Sequence, residues 1–178
     1  MGDRLMKRDL TLWQINGFGF TALAGSLLHF FYDFTNKSIF AAPFSSINES
    51  TWEHMKLIYF PLFVFALIQN RFFKEYKNFW CIKLLGILTG LVLIPVLFYT
   101  YNGAIGQSPD WINISFFFIA AATTFVFETW LFKNDFLKGT IALFAFVIIV
   151  LIGILFVVFT FYPPILPLFQ DPIRSNNL

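Results

Sequence analysis

The sequence has few charged residues. Asp, Glu, Lys and Arg make up 12% of its 178 residues, and hydrophobic residues make up 58% of the chain. A soluble domain is about 25% charged and about 45–50% apolar. With so few charges, a water-soluble fold of this size would expose mostly apolar residues. The shortage of charge therefore argues against a soluble globular protein and indicates a chain that faces lipid.

Cysteine is scarce as well. Cys81 is the only one, so the chain can form neither an internal disulfide nor a cysteine-based metal cluster. The net charge of +2 is too small to suggest a nucleic-acid partner. Any metal site would therefore have to use histidine and carboxylate ligands.

Five long apolar stretches are present. A membrane-spanning helix needs about 20 mostly apolar residues. We predict an all-α fold, a polytopic membrane bundle of about five helices at 12–34, 51–69, 79–101, 111–132 and 140–162. The apolar stretch 38–47 is too short to span and is predicted to be an interfacial or re-entrant segment. The whole chain, 1–178, is expected to form one transmembrane domain.

Lysine and arginine are unevenly distributed between the two ends of the predicted bundle, nine to three. The nine are Arg4, Lys7, Arg8, Arg71, Lys74, Lys77, Lys83, Lys133 and Lys138, and the three are Lys37, Lys56 and Arg174. Because cytoplasmic loops are enriched in basic residues, we predict the N-terminus inside and the C-terminus outside. That orientation requires an odd number of spanning helices.

Many of the other polar residues fall at the predicted outer end. His29 and Asp33 are four residues apart near the end of helix one and share a face. Residues 48–56, at the start of helix two, contain two carboxylates, an imidazole and an ammonium group. We predict a ligand-binding site there, formed by His29, Tyr32, Glu49, Glu53, His54, Lys56 and Tyr101.

Part of this cluster has a simple structural explanation. Ser50-x-x-Glu53 has the spacing of a capping box, and Trp52 is suited to anchor a helix at the membrane interface. A carboxylate in the first turn also interacts favourably with the helix dipole. Capping and anchoring do not explain His54 or Lys56, so a functional role for these two residues remains open.

One functional hypothesis is a divalent metal such as zinc, which His and carboxylate side chains bind. Glu49 and Glu53 share a face if the helix already runs at residue 49, whereas the adjacent Glu53 and His54 point about 100° apart. We therefore expect His29, Glu49 and Glu53 to be the metal ligands. Their spacing is not the His-Glu-x-x-His pattern of zinc proteases, so the motif is weak.

A second hypothesis uses the same groups without a metal. Glu53 or His54 would be the catalytic general base, and Lys56 would hold an anion such as a lipid phosphate. On the inner side, Lys83 and Glu128 each lie about one turn inside the membrane, on helices three and four. We predict that these two form a structural ion pair, the alternative being that each extends separately to the interface.

The pattern N-E-S-x-W-E-H-x-K at 48–56 resembles an uncharacterised family of small bacterial multi-pass membrane proteins, a domain of unknown function. The patterns L-H-F-x-Y at 28–32, Y-T-Y-x-G-x-x-G at 99–106 and P-P-x-x-P-L-F-x-D at 163–171 are similar to the same family. The resemblance covers nearly the whole chain and implies no activity. In that family an acid often stands at the position of Asn113 and a histidine at that of Ile165, so two candidate ligands are missing here.

The leading functional hypothesis is an integral protein of a bacterial inner membrane with a metal- or headgroup-binding site at its outer end. A membrane enzyme acting on a lipid or isoprenoid headgroup is one alternative, and a small transporter or a transporter's substrate-binding subunit is another. Membrane lipid is the expected partner. A protein partner, as for an assembly factor or an immunity protein, would leave no recognisable pattern in the sequence.

Overall fold

The computed structural model describes residues 2–134 and 142–171, with side chains from residue 9 onward. Within those residues the fold is all-α, with no strand. The helices are α1 (Gly2–Phe34), α2 (Thr51–Asn70), α3 (Phe79–Ala104), α4 (Asp110–Asn134) and α5 (Ala142–Phe161), followed by a short 3₁₀ helix at Pro167–Phe169.

The helices follow the predicted order, and α2, α3 and α4 differ from their predicted bounds by at most three residues at either end. Helix α1 begins at Gly2, ten residues before the predicted start at residue 12. The first two residues of the predicted 140–162 helix lie outside the described part of the chain, and α5 ends at Phe161, before the first proline of the tail. Segment 38–47 contains turns and no helix, and it connects α1 to α2.

Four of the helices, α2 to α5, are long and apolar enough to cross a membrane. Helix α1 is not among them, because polar residues lower its hydropathy. Its polar side chains Gln14 and Thr21 are 4% and 0% exposed, whereas Leu23 and Phe34 are 65% and 79% exposed. Helix α1 thus turns two polar side chains toward the bundle and several large apolar side chains outward, which is unusual for a helix at the surface of a soluble protein.

Helices α3 and α4 pack closely because Gly86 and Gly90 leave a groove on α3. The groove receives two side chains of α4 that are four residues apart. A Cβ added to Gly86 would lie 2.4 Å from Glu128 Oε1, and one added to Gly90 would lie 2.6 Å from Thr124 Oγ1. The Thr124 hydroxyl is also 3.3 Å from the carbonyl oxygen of Gly86. Small residues allow such close approach in membrane helix pairs.

Glu128 forms a buried ion pair in this groove. Lys83 Nζ lies 2.6 Å from Glu128 Oε2, and the two side chains are 2% and 1% exposed. Gln14 Nε2 donates to the same oxygen at 3.3 Å, so the pair connects α1, α3 and α4. The ammonium group also lies 5.7–6.0 Å from the ring centroids of four phenylalanines, Phe65, Phe79, Phe125 and Phe132. Those aromatic faces stabilise a cation away from water.

Segment 38–47 is attached to α1 by one hydroxyl group. Ser45 Oγ accepts a hydrogen bond from the Tyr32 amide at 2.8 Å and donates to the carbonyl of Leu28. Those two backbone groups are the i and i+4 partners of an uninterrupted α-helix, so the serine inserts into the helical ladder. The insertion occurs next to His29 and fixes the segment against that part of α1.

We predict that Gly86→Ala destabilises the protein by about 1–3 kcal/mol. The new methyl group would push Glu128 away from Lys83 and leave both charges without a close partner. The measurement is thermal unfolding of the purified protein in detergent, monitored by circular dichroism.

Gly19→Ala is the matched control, because a Cβ there meets no heavy atom of the described residues within 4 Å. Because alanine has a higher helix propensity than glycine, this variant should have an unchanged or slightly higher unfolding temperature. Equal unfolding temperatures for the two variants would contradict the packing role of Gly86.

Candidate functional site

His29, Glu49 and His54 come together at the end of the bundle where α1 and α3 finish and α2 and α4 begin. Glu49 Oε2 lies 3.7 Å from His29 Nε2 and 3.5 Å from His54 Nε2. One ligand atom from each of the three lies within 4.8 Å of the other two. We refer to these three residues as the His–Glu–His cluster.

The start of α2 determines where two members of the cluster point. Ser50 is the N-cap, with an extended backbone at φ −68° and ψ 152°, and its side chain accepts the Glu53 amide at 3.4 Å. Glu49 therefore precedes the helix, while His54 lies on its first turn. His54 Nδ1 is 3.0 Å from the Ser50 carbonyl oxygen, which can only accept. The imidazole therefore donates from Nδ1 and presents Nε2 to Glu49.

The spacing within the cluster suits one small ion. At zinc–ligand bonds of about 2.0–2.1 Å, tetrahedral ligands lie about 3.3 Å apart. The two histidine–carboxylate distances, 3.7 Å and 3.5 Å, are close to that separation. The bond from His54 Nδ1 to a backbone carbonyl is also the usual support of a metal-binding histidine. His29 Nδ1 is buried and has no such partner in the described part of the chain.

The structure does not bring Glu53 into the cluster, and His54 takes the place expected for it. The expectation required the helix to run already at Glu49, but α2 begins at Thr51. Glu53 points into the bundle instead, where its Oε2 lies 2.7 Å from Lys56 Nζ and accepts the Ile47 amide at 2.9 Å. Glu53 is thus 2% exposed and bonded to other groups.

Lys56 is also separate from the cluster. Its side chain is 0% exposed and its ammonium group bonds Glu53, the Ala42 carbonyl at 2.8 Å and Thr160 Oγ1 at 2.9 Å. A lysine has three N–H donors, so all of them are used within the protein. The structure therefore places the predicted base and the predicted anion holder in a buried network that joins segment 38–47, α2 and α5.

Two cavities flank the cluster, and His54 lines both. The first, about 70 Å³, lies between α2, α3, α4 and the α3–α4 loop. The second, about 140 Å³, lies between α1, α2 and α4 and includes His29. The predicted site residues Tyr32 and Tyr101 line neither of these two cavities. Either cavity has room for several water molecules or one small ligand group beside the cluster.

Polar residues of the α3–α4 loop complete the first cavity. Ser108 donates its hydroxyl to Asn113 Oδ1 at 2.7 Å, and its amide donates to Asn102 Oδ1 at 2.9 Å. The bond to Asn102 ties the loop to the end of α3, and the Asn102 side chain also donates to the Phe98 carbonyl of the same helix at 2.7 Å. Sequence reasoning did not include Asn102, Ser108 or Asn113 in the site. Their position at helix ends on the predicted outer side was the available indication.

Glu49 lies outside the membrane-spanning helices and is ionised at neutral pH. Contact with the His29 side chain is the main cause that lowers the pKa of Glu49, and partial burial opposes it. The cluster therefore presents a carboxylate between two imidazoles, a donor set that zinc accepts in proteins.

The described part of the chain is a helix bundle, with four helices long and apolar enough to cross a membrane and a histidine–carboxylate group at one end. Residues 4–177 match a family of unknown function, DUF6512, and the chain belongs to that family. Comparison with curated proteins and with solved structures finds no match.

We predict that Lys56→Met destabilises the protein by about 3–5 kcal/mol, because it leaves the buried Glu53 carboxylate without its counter-ion. The double variant Glu53→Gln, Lys56→Met should recover part of that loss. Thermal unfolding in detergent measures both. A double variant that is less stable than Lys56→Met alone would contradict a compensated charge pair.

Proposed function

We propose that the chain spans the membrane five times, with the N-terminus inside and the His–Glu–His cluster at the outer face of a bacterial inner membrane. The nine-to-three distribution of basic residues supports this orientation. Lys138 and Arg174, which belong to that count, lie outside the described residues. The apolar exposed face of α1 and its buried polar side chains support a fifth span.

The cluster is proposed to bind a divalent metal ion, zinc in particular. The observation that carries this proposal is that Glu49 lies 3.7 Å from His29 and 3.5 Å from His54, close to the separation of tetrahedral ligands, while one ligand atom from each of the three residues lies within 4.8 Å of the other two. Two neutral imidazoles and one carboxylate give the ion a set of three protein ligands. Structural zinc sites use four, whereas sites that bind a substrate or activate water keep one position open.

The open position favours a binding or catalytic role over a purely structural one. A bound ion would supply Lewis-acid chemistry at that position. The residues of this chain would orient the ion through His54, whose ring is held by the Ser50 carbonyl, and admit a ligand from one of the two cavities. A membrane enzyme acting on a headgroup is the second candidate function that this geometry supports.

A transporter has less support. It would need polar groups near the middle of the bundle that are available to a substrate. The hydroxyl groups of Thr89 and Thr124 instead donate to backbone carbonyls of their own helices, at 2.8 Å and 2.9 Å. The polar side chains of Lys83 and Glu128 are used in their ion pair.

We predict that purified protein binds one equivalent of Zn²⁺, measured by isothermal titration and elemental analysis. His29→Ala, Glu49→Gln and His54→Ala should each weaken binding by at least about 10–100-fold, since loss of an outer-shell partner alone has that effect. All three side chains are partly exposed, so the variants should remain folded.

Glu75→Gln is the charge-matched control, because Glu75 is exposed and lies in the α2–α3 loop at the other end of the bundle. It should leave zinc binding unchanged. Absence of stoichiometric zinc in the folded wild-type protein would refute the metal proposal. So would equal affinity in the wild type and all three cluster variants.

A further inference from the structure

We infer that the open position of the His–Glu–His cluster receives an oxyanion carried on an acyl chain, which enters sideways between α1 and α4. This inference rests on the proposed metal site and names the class of ligand for it. It depends on the shape and lining of the second cavity, which we call the α1–α4 cleft.

The α1–α4 cleft is apolar except at one end. Its walls are formed by residues of α1, α2 and α4, of which Gly25, Ser26, Leu57, Ile114, Phe117 and Phe118 lie away from the cluster. Its polar end is formed by His29, His54 and Asn113. A ligand that fills this cleft therefore needs a small polar group at one end and an apolar remainder. That is the chemistry of a single-chain amphiphile.

The edges of the cleft belong to apolar, exposed faces of the two helices. Phe30 on α1 and Ile114 on α4 both line the cleft and are 55% and 58% exposed. In a membrane, such faces contact acyl chains rather than water. The first cavity has a different lining, with Gln107, Ser108 and Asp110 from the α3–α4 loop and its ends. The cluster thus has a polar approach on one side and an apolar approach on the other.

The size of the cleft suits a small headgroup. Its volume is about 140 Å³, and it opens toward the exposed faces of α1 and α4. A phosphate or carboxylate with the first few methylenes is small enough for that space. Most of the chain would have to lie outside the cleft, among the surrounding lipids.

Charge favours an anionic headgroup. A divalent ion with the Glu49 carboxylate and two neutral imidazoles carries one net positive charge. A singly charged oxygen ligand at the open position would neutralise it, which is favourable where water is largely excluded.

The experiment uses the full chain in detergent with Co²⁺ in place of zinc, because the visible spectrum of Co²⁺ reports its ligands. Dodecyl phosphate and inorganic phosphate are titrated in parallel. Each methylene that is buried in the cleft should improve binding about fourfold. We expect dodecyl phosphate to shift the Co²⁺ spectrum at a concentration at least about tenfold lower than inorganic phosphate does.

Variants distinguish binding of dodecyl phosphate in the cleft from its partitioning into detergent micelles. Ser26→Trp and Ile114→Trp fill the cleft from opposite helices. Ser26 is exposed, and its hydroxyl donates to the Ala22 carbonyl of its own helix. Each variant should keep Co²⁺ affinity and the response to inorganic phosphate, but lose at least about tenfold in response to dodecyl phosphate. Leu23→Trp is the control, because Leu23 is 65% exposed on α1 and does not line the cleft.

The outcomes are distinguishable. If Co²⁺ does not bind the wild-type protein, the metal proposal fails and this inference fails with it. If Co²⁺ binds but dodecyl phosphate acts equally in the wild type and both cleft variants, only the lateral route is overturned. A response to inorganic phosphate alone would place the ligand on the polar side, in the first cavity, and would also overturn this inference.

Discussion

One buried ammonium group holds the site end of the bundle together. Lys56 bonds Glu53 on its own helix, a carbonyl in segment 38–47 and a hydroxyl on α5. Glu53 in turn accepts the amide of Ile47, two residues before Glu49. The same segment is fixed to α1 through Ser45. The position of Glu49 between the two histidines therefore depends on charges that never contact a ligand.

The two buried ion pairs follow the same constraint, although Thr21 Oγ1 and the Gln69 side chain are buried without a hydrogen-bond partner among the described residues. In a membrane protein an unpaired polar group inside the bundle is costly, so each must find a partner there or lie at an aqueous end. Lys83 and Glu128 pair across a groove that two glycines leave open. Glu53 and Lys56 pair near the site end. The His–Glu–His cluster is different, because its side chains are partly exposed and adjoin two cavities.

That difference is the physical basis of the functional proposal. Pairs with saturated donors, such as the one at Lys56, stabilise the bundle and leave nothing for a ligand. Two imidazoles that share one carboxylate keep further coordination capacity. Because the two imidazoles lie between a polar cavity and an apolar cleft, the cluster can accept a ligand that has a polar group and an apolar chain. Metal binding and lipid recognition are therefore proposed as parts of one site rather than as alternatives.

The sequence by itself determined the all-α, membrane-type class and the approximate helices, because hydropathy and length decide which segments can face lipid. It also indicated the end of the bundle at which His29 and Glu49 meet. Only the tertiary structure decided which third residue joins these two. The sequence favoured Glu53 over His54 on the assumption that a helix runs through Glu49, but the N-cap at Ser50 starts α2 later and turns Glu53 inward. The capping pattern already placed the start of this helix at residue 51. The path of the chain before Ser50, which brings Glu49 to the two histidines, depends instead on contacts of segment 38–47 with α1 and with Glu53, and local pattern does not show such contacts.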